Sequence, residues 1–327
     1  MTDQSEIDNF ETFVGFWPAR ENCGEVADFE LENRVPTTKT TQQLRATLLS
    51  YQGAGWKMII CADYLCLLHL DEYEPGLAAE RKPQDIRSPT LLRATSIAWP
   101  RYVEALNAWY FVLFAACRTA RNWAVLNDFA ELSFWNCSRI LYDQEGRPVR
   151  HANYGRTLGA YLRRFQLQLF DSPPTFMSLD HGIFDDASHY WDTIYSSNLV
   201  PLAALGCKIV SEHRLGNYRP AIALAWFELE AWVNEQVTSL GYPSKTARGK
   251  DRRISDMLDD FPRGTSVANL RDDLHTLRAI RNDIAHNNAA AAHSDSALAL
   301  KCFVKMLNAR SGLPLEVDDL PPPTIGL

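Results

Sequence analysis

Helical periodicity from residue 185 onward is the feature that most constrains the fold of this chain. Apolar residues recur every three or four positions, which places them on one face of a helix. In the segment 219–240 these positions are Ile222, Trp226, Leu229, Val233 and Val237. Short loops between such segments favour an antiparallel, up-down bundle. The predicted helices cover residues 187–213, 219–240, 252–261, 267–288 and 294–310.

The preceding residues, 1–175, lack this regularity and predict a mixed α/β domain. An apolar run at 58–70 predicts a strand pair or a buried strand, and the turn residues 143–146 predict a hairpin between 130–142 and 147–154. Helices are expected at 40–51, 99–121 (buried) and 155–170.

The domain boundary is predicted at Ser172-Pro173-Pro174, where two prolines interrupt the pattern. The predicted fold class is therefore α+β, with a mixed α/β domain over 1–175 followed by an all-α bundle over 185–310. Residues 311–327, rich in proline and acidic groups, are expected to form a flexible tail.

Cysteine usage and hydropathy favour a cytoplasmic protein without a membrane anchor. The seven cysteines are scattered and include no CxxC pair, which argues against a disulfide framework or a structural zinc site. No apolar stretch approaches the roughly 20 residues that a membrane helix needs. The acidic N-terminus has no basic and apolar secretory pattern.

The net charge of −7 is confined to the first 200 residues, because the remainder has as many basic as acidic groups. Within that neutral remainder, one run carries five positive charges and one negative charge. Its basic residues are Lys245, Arg248, Lys250, Arg252 and Arg253. Such a run is either a solvated loop or a surface that faces nucleic-acid phosphates.

Arg281 occupies a position in the apolar stripe Leu274, Leu277, Ile284 where another apolar side chain is expected. A buried arginine is costly unless its charge is matched. Asn282 and His286, four residues apart, share a face of the same helix. This arrangement suits a helix whose end is presented to a ligand or a partner.

The segment RNDIAH, residues 281–286, resembles the R-(N/D/H)-x-x-x-H signature of HEPN domains. This Arg-x4–6-His class is found in many prokaryotic toxin and abortive-infection ribonucleases. The resemblance covers about 125 residues of the C-terminal part, and by the same comparison Glu230 and Asn234 of the preceding long helix are the positions that line the site.

The resemblance implies an endoribonuclease that uses neither metal nor cofactor. The RNA 2′-hydroxyl attacks the adjacent phosphorus, with histidine as the proton-transfer group and arginine as the phosphate clamp. One chain supplies one such His286, so separate acid and base roles require a homodimer with a composite site. The implied roles are a toxin or an antiviral defence effector, with RNA as substrate and an antitoxin or phage-derived trigger as a possible partner.

Other interpretations remain open at this point. The bundle could be a catalytically inactive dimerisation or nucleotide-binding module, in which Arg281 pairs with Asp283 or Glu230 and His286 caps a helix end. The acidic N-terminal half could mimic or recruit an antitoxin. The segment 180–192, rich in Asp and His, could hold a metal or, more commonly, open a helix. Aromatic residues at 90–200 could stack bases or fill a core.

Overall fold

The computed structural model describes residues 11–16, 47–61, 65–73, 98–119, 129, 131–133, 137–142, 148–153, 181–243, 245, 249 and 252–317. The chain divides into two units, Met1–Ala204 and Leu205–Leu327. The predicted helix at 155–170 and the predicted boundary at 172–174 lie outside the described residues.

The first unit contains an antiparallel sheet of six strands in the order β2-β3-β4-β1-β5-β6. Side chains alternate between buried and partly buried positions along β3, whereas all five residues of β4 are buried. The predicted strand pair is confirmed as β3 and β4, and the predicted hairpin as β5 and β6. The strands are β1 Glu11–Phe16, β2 Thr47–Gly53, β3 Trp56–Cys61, β4 Cys66–Leu70, β5 Ser138–Tyr142 and β6 Pro148–Asn153.

The helix expected at 40–51 is wrong for its described part, because Thr47–Gly53 is strand β2. Its backbone groups pair with β3 across a tight turn in which Gly55 takes a positive φ of 84°. Sheet pairing therefore overrides the local propensity.

Two long helices of the first unit, α1 (Ala98–Thr119) and α2 (His181–Ser196), pack against each other. Every residue from 105 to 117 is buried, so the predicted buried helix is confirmed. The rings of Trp109 and Trp191 meet edge to face with centroids 6.2 Å apart. The Trp56 indole N–H donates to Asp192 at 3.0 Å. Because α2 packs on α1, the described division falls at Ala204 and Leu205, later than the bundle start predicted at residue 185.

The single helix predicted at 187–213 is in fact two, α2 and α3 (Val200–Arg214). Asn198 between them is left-handed, with φ 55°. Pro201 in the first turn of α3 has no N–H to continue a helix from α2.

The second unit is helical. The predicted stripe of α4 is confirmed, since Ile222, Trp226, Leu229, Val233 and Val237 are all buried. The helix predicted at 267–288 is interrupted at Leu270 (φ −108°, ψ 4°) and forms α6 and α7. The helices are α4 Tyr218–Ser239, α5 Ile254–Asp260, α6 Ser266–Asn269, α7 Arg271–Asn287 and α8 His293–Ser311.

Helix α8 runs parallel to α4, and α7 runs antiparallel to both. The Tyr218 ring meets the His293 ring at the start of α4 and α8, and Arg310 pairs with Glu235 near their ends. The start of α4 also binds the end of α7, through hydrogen bonds from Arg219 to Asn288. The end of the bundle that holds these starts therefore also holds the last turn of α7.

The flexible tail predicted from residue 311 is ordered as far as residue 317. Leu313, Leu315 and Val317 are buried, and Asn308 exchanges two hydrogen bonds with the Leu315 backbone. The alternate apolar positions of this extended segment account for its packing. Residues 318–327 lie outside the described residues. Among the described helices, none has the length and apolar character needed to cross a membrane.

Candidate functional site

Arg281, Asn282 and His286 lie on the last turns of α7. The Arg281 guanidinium is partly buried and donates to the Asn282 side-chain oxygen at 3.1 Å. His286 is exposed and, among the described residues, forms no hydrogen bond or ion pair.

The nearby carboxylates do not neutralise Arg281. Asp283 accepts a hydrogen bond from Asn287 at 3.2 Å, and Glu230 accepts one from the Trp226 indole at 2.9 Å. Among the described residues Arg281 has no ion pair with either. Within the described part of the chain, the Arg281 guanidinium therefore has no carboxylate partner.

The end of α7 that carries His286 is fixed to the start of α4. Asn288 ends the helix in the left-handed conformation, with φ 50°. Arg219 donates to both the side-chain oxygen and the backbone carbonyl of Asn288, each at 2.8 Å. A forked guanidinium holds two acceptors in one plane, so these bonds set the register of the two helices.

Glu230 and Asn234 lie one turn apart on α4, and the Asn234 amide donates to the Glu230 carbonyl at 2.9 Å. Helices α4 and α7 run side by side from the Arg219–Asn288 contact, and each rises about 1.5 Å per residue. On this scale Asn234 lies roughly 20 Å further from that contact, along the helix axis, than His286. Glu230 lies about one turn beyond the level of Arg281 on the same scale. The structure thus brings Arg281 and Asn282 together, whereas Asn234 and His286 of one chain are far apart.

The basic run after α4 is not a uniform solvated loop. The Arg252 side chain is 14% exposed, pairs with Asp260 and donates to the backbone carbonyls of Pro243 and Asp256. Lys245 and Arg253 are exposed. Arg248 and Lys250 lie outside the described residues. Arg252 therefore stabilises the connection between α4 and α5. A phosphate group could bind Arg252 only by competing with Asp260 for its guanidinium.

Two further histidines, His213 and His293, lie at the end of the bundle that also carries His286. Neither was predicted from the sequence to be a functional residue. His213 of α3 is 1% exposed, shares a hydrogen bond with the Ser296 hydroxyl at 2.9 Å and lies 4.6 Å from the His293 ring. Burial, with smaller effects of His293 and Arg214, lowers the pKa of His213 to about 4. His213 is therefore neutral at neutral pH and serves packing rather than proton transfer.

Arg278 was also missed. It lies three residues before Arg281, and its guanidinium forms no hydrogen bond or ion pair with any described residue. Only the spacing of two arginines at i and i+3 could have drawn attention to it, and that spacing is common on solvated helices.

Replacing Arg252 with Gln should lower the free energy of unfolding by about 1 to 2 kcal/mol, because an ion pair and two backbone hydrogen bonds are lost. Arg253→Gln, at an exposed position next to it, is the matched control and should leave stability within about 0.5 kcal/mol. Urea unfolding measures both. Equal stability of the two variants would mean that Arg252 does not hold this connection.

The second unit should lose stability as the pH falls from 6.5 towards 4. In this window the unfolded chain binds a proton at His213 that the folded chain does not, so stability rises with pH by at most about 1.4 kcal/mol per pH unit from this group. His213→Asn should flatten the dependence, because the proton taken up only by the unfolded chain is then lost. Unfolding at pH 4.5, 5.5 and 6.5 measures the slope, and equal slopes for wild type and His213→Asn would contradict this assignment.

Comparison with protein-family models, with curated proteins and with solved structures found no match to this chain. The resemblance to HEPN domains therefore depends on the residues of α4 and α7 described above. The activity that it implies is a proposal.

Proposed function

We propose that the second unit is a metal-independent endoribonuclease of the HEPN type that acts as a homodimer. The observation that carries the proposal is the environment of Arg281 and His286 on α7. Among the described residues the partly buried Arg281 has no carboxylate partner, and His286, five residues later on the same helix, is exposed. In a purely structural helix end a partly buried guanidinium is expected to be paired.

Each motif residue has a chemical role in this proposal. One His286 takes the proton of the 2′-hydroxyl as its oxygen attacks the adjacent phosphorus. Arg281 stabilises the charge that develops on the phosphoryl oxygens, and Asn282 orients Arg281 through the bond at 3.1 Å. The bond from phosphorus to the 5′-oxygen breaks, and a second histidine protonates that oxygen. The products are a 2′,3′-cyclic phosphate and a 5′-hydroxyl end.

The second histidine comes from a second copy of the chain, and α4 offers a surface for that contact. Phe227 is 64% exposed. Ala223, Phe227, Glu230 and Asn234 follow one face of α4 at spacings of four, three and four, the pattern of a helix-packing seam. The small Ala223 and the exposed Ala231 permit close approach of a second helix.

We further propose that the protein acts as a toxin or anti-phage effector, controlled by an antitoxin or a phage-derived trigger. The alternative is an inactive HEPN-like module for dimerisation or nucleotide binding. Arg281, without a carboxylate partner among the described residues, favours the nuclease over a dimerisation module, because a module that binds no phosphate gains nothing from an unpaired cation. The cleavage assay below separates the nuclease from a nucleotide-binding module.

His286→Ala and Arg281→Ala should each reduce RNA cleavage by at least 100-fold, since proton transfer or phosphate clamping is lost (roughly the range for such groups). Cleavage by the wild type should persist in EDTA. A radiolabelled RNA assay with end-group analysis measures both the rate and the cyclic phosphate. His275→Ala, on α7 but paired with Asp259, is the control and should cleave normally. Loss of activity in EDTA that added divalent metal restores would contradict the mechanism.

Phe227→Asp should convert a wild-type dimer into a monomer without cleavage activity, because a charge placed at the centre of the seam cannot be desolvated. Light scattering measures the mass and the RNA assay the activity. Leu240→Asp, which introduces the same charge at an exposed apolar position beyond the end of α4, should remain dimeric and active. A wild-type monomer with full activity would exclude the composite site.

A further inference from the structure

The proposed reaction assigns no role to Arg278, a cationic side chain of α7. It is partly buried, and its Nε has neither solvent contact nor a hydrogen-bond partner. The rest of its guanidinium likewise bonds to none of the described residues. The Nε of Arg271, on the same helix, is also buried without a partner, but its Nη2 donates to the Phe261 carbonyl at 2.6 Å.

The Nε–H of Arg278 is costly in this state, because it has lost water without gaining an acceptor. Native proteins rarely leave such donors unmatched, so this one calls for an acceptor, which a bound water or a ligand can supply. The carboxylates on the neighbouring turns bind elsewhere: Asp273 pairs with Lys301 at 2.9 Å, and Glu230 accepts from Trp226. The acceptor that Arg278 lacks is thus absent from the described part of the chain.

Position identifies the class of that acceptor. Arg278 lies three residues before Arg281 and four before Asn282, so all three side chains share one side of α7. Two guanidinium groups that form no ion pair with a described residue thus follow each other about one helical turn apart, roughly 5 Å along the axis. Guanidinium groups bind phosphate through paired, charge-assisted hydrogen bonds. Neighbouring phosphates of a single RNA strand are separated by a comparable distance.

We infer that Arg278 binds the RNA phosphate next to the one that is cut, while Arg281 holds the cut phosphate. This inference rests on the proposed ribonuclease function and adds a binding residue to it. Arg278 positions the strand and takes no part in proton transfer. The phosphate supplies the acceptors that the guanidinium lacks in the free protein.

Binding of a 2′-O-methyl RNA oligonucleotide, which cannot be cleaved, tests the inference. Arg278→Gln should weaken binding by about tenfold or more, as expected for loss of a charge-assisted contact. The log–log dependence of affinity on salt should become shallower by about 0.7 for a single strand. Arg263→Gln, at an exposed position beyond α5, removes the same charge and should change neither quantity.

Thermal unfolding of the free protein separates a binding role from a structural one. An unsatisfied cation does not stabilise the fold, so the Tm of Arg278→Gln should equal or exceed that of the wild type. A lower Tm together with unchanged RNA affinity would overturn the inference and make Arg278 a structural residue.

The two proposals fail in different ways. Equal RNA binding by Arg278→Gln and wild type, with cleavage still dependent on His286, overturns only the role of Arg278. Weaker binding by Arg278→Gln, with cleavage unaffected by His286→Ala, overturns the proposed mechanism and leaves the phosphate contact standing. A wild type that does not bind the oligonucleotide overturns both.

Discussion

Two hydrogen bonds from Arg219 to Asn288 determine where the functional groups of the second unit lie. They fix the left-handed end of α7 against the first turn of α4, and the antiparallel register follows. Arg278, Arg281 and Asn282 form one ladder of polar groups along α7 itself, and the register places His286 at the same end of the bundle as the start of α4. The same contact places Glu230 and Asn234 further along α4, away from His286 of their own chain.

Several elements of the fold could be predicted from the sequence because each has one dominant local signal. The stripe of α4 has helical spacing and a fully buried face, and the 58–70 run consists of residues that prefer a covered sheet. Where a short-range signal competes with pairing or packing, the prediction was wrong. Residues 47–51 join a sheet instead of a helix, and Asn198 and Leu270 each interrupt a segment whose apolar pattern continues.

The candidate site was predictable in part for a related reason. Arg281, Asn282 and His286 lie within six residues of one helix, so their relative positions on α7 do not depend on how that helix packs. The sequence does not distinguish Arg252 and Arg278 from the arginines near them. Only the packing of the folded chain shows that the two differ in their partners. One is paired with Asp260, whereas the other has no acceptor among the described residues. The sequence shows which residues are charged, but it does not show which of those charges are paired in the folded protein.

The distance between Asn234 and His286 within one chain has a consequence for dosage. If both groups serve one reaction centre, a single copy of the protein is silent, and the active species forms at a rate that depends on the square of the protein concentration. Activity would then rise steeply around the dissociation constant of the dimer and be negligible well below it. A cell could carry a few copies without harm, and a modest increase in expression or local crowding would be enough to release the activity.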